Sequence, residues 1–143
     1  MSTANLATAI CQVMAAVRYI PETGENKFHK YKYASDEDLL GALQPAMAAA
    51  GLALVPTSAR QVIVEHSPDQ KSKAQWRTEL EAGYVLIHTS GESLPSQWAG
   101  VGIDGEDKGT YKAMTGVLKY LLRHLFLVPT GSDPERHTEV DDR

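Results

Sequence analysis

The segment Trp76-Arg-Thr-Glu-Leu-Glu-Ala-Gly-Tyr-Val-Leu-Ile-His-Thr-Ser-Gly-Glu-Ser-Leu-Pro-Ser-Gln-Trp98 carries the strongest architectural signal in the chain. Branched and aromatic residues alternate in part with polar ones over Trp76 to His88 and again over Ser93 to Trp98, the spacing of pleated strands. Between them Thr89-Ser-Gly-Glu92 supplies the turn chemistry of a tight hairpin. Toward the N-terminus, Leu52 to Val55 and Ala59 to His66 have the same texture, so the chain is predicted to run back and forth as a meander. Ser67 to Gln75, polar and holding Pro68, Lys71 and Lys73, joins two of these strands as a longer hairpin tip. Gly100 to Gly105 is read as a glycine-rich link into a last helix from about Asp107 to Leu127, stopped by Pro129.

Before the meander the periodicity is helical. Leu6, Ile10, Val13, Met14 and Val17 recur on one face of a first helix, capped by Ser2 or Thr3 and ended by Pro21 and Gly24. Lys27 to Tyr33 is read as a strand, since its aromatics favour a pleated surface. Ser35 followed by Asp36, Glu37 and Asp38 opens a second helix, because the hydroxyl can satisfy a free N–H and the acids face the positive end of the dipole. That helix carries Leu39, Leu40, Leu43 and Met47, includes Pro45 and stops at Gly51. The predicted fold class is α+β, an antiparallel β-meander sheet packed by helices.

With 143 residues, 43% hydrophobic and 22% charged, the chain has the size and composition of one globular domain. Its longest apolar runs fall short of the roughly 20 residues that cross a bilayer, and no secretory leader opens it, so a soluble, non-exported protein is expected. The single Cys11 has no partner for a bridge and is read as a packing residue. Net charge is -4, but from Pro129 onward five acids face only Arg136 and Arg143, so the tail holds -3 of it. The body is nearly neutral and can attract a polyanion only where its cations gather on one surface.

They gather in two places. At about 100° per residue, Lys108, Lys112, Lys119 and Arg123 of the last helix fall within a sector of roughly 60°, beside Thr115 and Gly116. They extend over about 22 Å of helix axis, a length that tracks several phosphates. Met114, Val117, Leu118, Leu121, Leu122 and Leu125 form the opposite, apolar side. A solvated face also shows charge opposite an apolar stripe, yet such a face mixes signs, and no acid stands between Lys108 and Arg123. The second gathering is Asn26-Lys-Phe-His-Lys-Tyr-Lys-Tyr-Ala-Ser35, whose Lys27, Lys30 and Lys32 are interleaved with Phe28, Tyr31 and Tyr33. Rings in such a ribbon serve as cross-strand packing or as base-stacking platforms beside phosphate-binding lysines.

Other motifs carry no chemistry. Gly100-Val-Gly-Ile-Asp-Gly105 has the spacing of a dinucleotide loop, but Asp104, Glu106 and Asp107 would repel a pyrophosphate and no parallel strand follows. The same acids are better placed to cap a helix than to hold Mg²⁺. The five histidines show no ligand spacing and no serine sits in a nucleophile elbow, so neither a cofactor nor an enzymatic activity is expected.

Three segments bear a resemblance to the ERF (essential recombination function) family of phage-type single-strand annealing proteins. Asn26 to Leu40 resembles the family's lysine and aromatic ribbon running into Tyr-Ala-Ser and an acidic helix start. Pro45 through Gly51-Leu-Ala-Leu54 is similar to its second block. His88-Thr-Ser-Gly-Glu92, Asp107 to Leu121 and Phe126-Leu-Val-Pro-Thr-Gly131 resemble its hairpin and closing helix. The resemblance implies a βββα core over residues 1–128, while residues 129–143 are read from their acidic composition as a flexible tail. It further implies ATP-independent binding of single-stranded DNA and annealing of complementary strands during recombination. A homo-oligomeric ring or filament, a host single-strand-binding protein or exonuclease as partner, and the cytoplasm of a bacterial host are implied with it. Carried over residue by residue, it puts Lys27, Lys30, Lys32, Lys108, Lys112, Lys119 and Arg123 on the DNA path, with Tyr31, Tyr33 and Tyr111 as stacking or packing partners; Thr115, from its place beside the helix stripe, is read as a further hydroxyl donor on that path. A scaffold subunit that shares the fold without annealing is the competing reading.

Overall fold

The structure is a computed structural model and describes residues 4–27, 30–66 and 75–130. In chain order these form helix α1 (Ala4–Ala16), strands β1 (Gly24–Asn26) and β2 (Tyr31–Tyr33), and helix α2 (Asp36–Ala49). Strands β3 (Leu52–His66), β4 (Gln75–His88) and β5 (Ser93–Asp104) and helix α3 (Gly109–Phe126) follow. The three long strands make one antiparallel sheet in the order β3-β4-β5, and β1 and β2 make a separate small hairpin. This is the α+β meander that the alternation around Thr89–Glu92 predicts. At its turn Gly91 takes φ 94°, and the backbone of His88 closes the hairpin with Gly91 and Glu92.

Pleating sends Thr78, Leu80, Ala82 and Leu86 of β4 to the helix-covered face. Leu80 and Ala82 meet Ala113 and Val117 of α3, while Leu86 and Leu52 join Val13, Leu39, Leu43, Leu121 and Phe126 in the main core. Beyond α3 the chain folds back: Val128 and Thr130 are buried and the Pro129 carbonyl accepts from the Ile20 N–H at 3.1 Å.

Four expectations change. Leu52 to Val55 and Ala59 to His66 are one strand, because a register shift between Pro56 and Ser58 absorbs the proline on an edge strand. Gly100 to Gly105 is not a link: β5 continues through Gly100 and Gly102 to Asp104. A Cβ on Gly100 would lie 2.7 Å from Val117 Cγ2, and one on Gly102 would strike the Gly109 carbonyl, so both glycines admit α3 onto the sheet. Met114 is 41% exposed, and the apolar side of α3 begins instead with Gly109 and Ala113. Cys11 is exposed, lying across α1 from the buried Leu6, Ala9 and Val13.

The β4–β5 turn also anchors α1. Glu92 is 8% exposed, and its Oε2 accepts from the Leu6 N–H at 3.1 Å and from the Ser90 hydroxyl at 2.8 Å. A carboxylate from another element thus caps the positive end of α1. Glu92→Ala is expected to lower stability by about 1 kcal/mol, seen as an earlier urea midpoint with the slope unchanged.

Candidate nucleic-acid interface

On α3, Lys108, Lys112 and Thr115 are exposed, while Lys119, Gly116 and Arg123 are half-buried along the same side. Lys108 stands at the N-cap without a side-chain cap bond, and the first turn holds no acid. Its charge adds to the positive end of the helix dipole instead of offsetting it, an arrangement unfavourable for the helix and favourable for an anion. Asp104 supplies the missing negative charge: its Oδ2 accepts from the N–H groups of Glu106 at 3.0 Å and Lys108 at 3.2 Å. Its Oδ1 pairs with Lys112 Nζ at 2.7 Å. Lys112 also donates to the Ile103 carbonyl at 3.1 Å, so this lysine is tied to the end of β5.

The Lys112 ammonium foremost, with the Glu106 and Lys108 N–H groups, pulls the Asp104 carboxyl from 3.8 down to about 2. A depressed folded value means that the contribution is present above 3.8 and lost as pH falls through about 2. Asp104→Asn is therefore expected to flatten the acid limb of the stability–pH curve across that window, as measured by urea midpoints.

The lysine ribbon is a hairpin and not the single strand predicted over Lys27 to Tyr33. Gly24 pairs with Tyr33, Glu25 with Lys32 and Asn26 with Tyr31, and Lys30 takes φ 57° in the turn. A left-handed residue breaks the alternation that would have set Lys30 and Lys32 on one strand face. Lys27, Lys30 and Lys32 are exposed; Phe28 lies outside the described residues. Asp38 closes the base of this hairpin from both sides. Its carboxylate accepts from the Thr23 hydroxyl at 2.5 Å and the Thr23 N–H at 3.1 Å, and from the Ser35 N–H at 2.8 Å. Ser35 Oγ accepts from the Asp38 N–H in return, completing the capping box of α2. The Thr23 hydroxyl first, then the Ser35 N–H, holds the Asp38 carboxyl well below the usual carboxylate range.

Ribbon and helix meet at Tyr33. Its ring lies against Gly24, where a Cβ would come within 2.6 Å, and Lys119 Nζ stands 5.5 Å from its centroid. The structure thus brings β2 and the middle of the cationic stripe together, with Lys32 next along the chain. Tyr111 is 69% exposed on α3, roughly 12 Å along the helix axis toward the N-terminus from that contact.

Sequence reasoning passed over a row of rings on the other flank of the stripe. Tyr120 and His124 have centroids 6.0 Å apart and His124 and Trp98 6.1 Å. The four-residue spacing of Tyr120 and His124 was a readable signal; the approach of Trp98 from β5 was not. The far face of the sheet offers a contrasting groove of about 620 Å³ lined by Arg60, Val62, Arg77, Glu79, Glu81 and Val101. There Arg77 pairs with Glu79 at 3.0 Å, and its acids balance its arginines, so it has no preference for a polyanion.

Among the described residues no helix is long and apolar enough to cross a membrane. No curated protein matches the chain. The model of the ERF superfamily matches residues 6–141, a span that includes the ribbon, the meander and α3. The chain belongs to the ERF superfamily.

Proposed function

We propose that this protein binds single-stranded DNA along α3 and the β1–β2 ribbon and anneals complementary strands without nucleotide hydrolysis, as a phage-type recombination protein. The observation that supports the reading is the contact of Lys119 with Tyr33, which joins the ribbon hairpin to the side of α3 that carries Lys112, Lys119 and Arg123. Membership of the ERF superfamily supports a role in recombination. Lysine and arginine hold the sugar-phosphate chain extended by releasing its counterions. Bases then remain open to a second strand, and correct pairing supplies about 1.4 kcal/mol per step, so no external energy source is needed. In this reading the protein works as a homo-oligomer in the cytoplasm of a bacterial host, beside a single-strand-binding protein or an exonuclease.

Two complementary labelled oligonucleotides mixed with the protein test the proposal. Duplex is expected to form faster than in a protein-free control, equally with and without ATP, and salt is expected to slow it. Retention of the oligonucleotides with duplex forming only at the control rate would leave a binding module and refute annealing.

A further inference from the structure

We propose that Tyr120, His124 and Trp98 form a stacking ledge for a nucleobase of the strand whose phosphates the α3 cations hold; this rests on the DNA-binding reading above. Tyr120 follows Lys119 and stands three residues before Arg123, so its Cβ lies about 5–6 Å from that of Arg123. Gly116, one turn earlier, has nothing within 4 Å of the position a Cβ would take. The surface beside Lys119 and Tyr120 is therefore open above Gly116.

Tyr120 and His124 form the exposed part of the ledge, and the half-buried Trp98, packed against the core, forms its back. Tyr120 is 55% exposed, far more than a residue that fastens helix to sheet. His124 Nδ1 is 2.6 Å from the Tyr120 carbonyl, which can only accept, so Nδ1 carries the proton and the imidazole is fixed beside the phenol at an interplanar angle of 35°. On the sheet side, Trp98 Nε1 donates to Ser96 Oγ at 2.9 Å, setting the indole 42° from the imidazole plane. Tyr33, by comparison, already has its ring engaged by Gly24 and Lys119.

Preordered rings beside a row of cations match the two chemical faces of a single strand, an apolar π-surface and a polyanionic backbone, whatever its sequence. Stacking occupies the face of a base and leaves its Watson–Crick edge open, so a strand seated here is still able to pair. Charge complementarity chooses this occupant over an apolar protein segment, which would gain nothing from Lys119 and Arg123.

The chain has two tryptophans, so a Trp76→Phe background makes Trp98 the sole indole. In it, oligothymidylate is compared with an abasic deoxyribose-phosphate oligomer of equal length and charge. The thymidylate strand is expected to quench Trp98 emission and the abasic strand is not. Tyr120→Ala should weaken thymidylate binding about tenfold and leave abasic binding and the salt slope unchanged, with Tyr120→Phe restoring the loss. Equal binding of both oligomers, with Trp98 emission constant and Tyr120→Ala silent, overturns the ledge while the DNA-binding reading stands. Failure of both oligomers to bind overturns that reading and the ledge with it.

Discussion

Gly102→Ala lowers the free energy of unfolding by about 3 kcal/mol, the upper part of the range for overpacking a core. The added methyl would strike the Gly109 carbonyl and come within 2.7 Å of the Ala113 nitrogen. Both are backbone atoms of α3, and neither can rotate aside. Relief requires lifting the helix, which loosens Ala113 and Val117 from Leu80 and Ala82. Gly100→Ala is the instructive contrast. Its methyl meets a side chain, Val117 Cγ2 at 2.7 Å, before any backbone atom at 3.3 Å, so a rotamer change absorbs part of the insult and the cost falls to about 1 kcal/mol. Urea midpoints of the two variants decide the matter. Equal midpoints would mean that α3 does not rest on β5 as closely as the structure has it.

Replacing Lys108, Lys119 and Arg123 together by alanine should weaken single-strand binding by about two orders of magnitude at low salt. Each phosphate contact on a single strand contributes about 0.7 to the slope of log K against log salt. The triple variant should therefore lose about 2 units of slope, a change that misfolding alone does not produce. Lys112→Ala is expected to behave differently, because Asp104 already balances its ammonium. That substitution should act chiefly on stability and alter the slope by less than the roughly 0.7 of a full phosphate contact. An unchanged slope in the triple variant would move the DNA path to another surface.

Features written in neighbouring residues were legible in the sequence. The β4–β5 hairpin follows from alternation on either side of Thr89-Ser-Gly-Glu92, and the start of α2 from Ser35 and Asp38 three positions apart. The cationic stripe was legible for the same reason, since one helix carries all of it. Features that depend on distant partners were not. Gly100 and Gly102 signal a loop until α3 is placed over them, and Asp38 signals only a helix cap until Thr23 arrives from 15 positions away. The ribbon was misread because lysines and aromatics suit a strand, while the left-handed Lys30 that turns it carries no glycine or asparagine marker. The ring row required Trp98 to meet His124 across the β5–α3 junction.

Glu92 reaches across 86 positions to the first turn of α1. A helix of 13 residues is marginal alone in water, and its cap here cannot form until the meander has closed. Contacts of such sequence separation are made slowly, because the intervening chain must be ordered first. Although it precedes the meander in the chain, α1 is thus among the last elements to settle, and its amides should be the slowest to gain protection from hydrogen exchange during refolding.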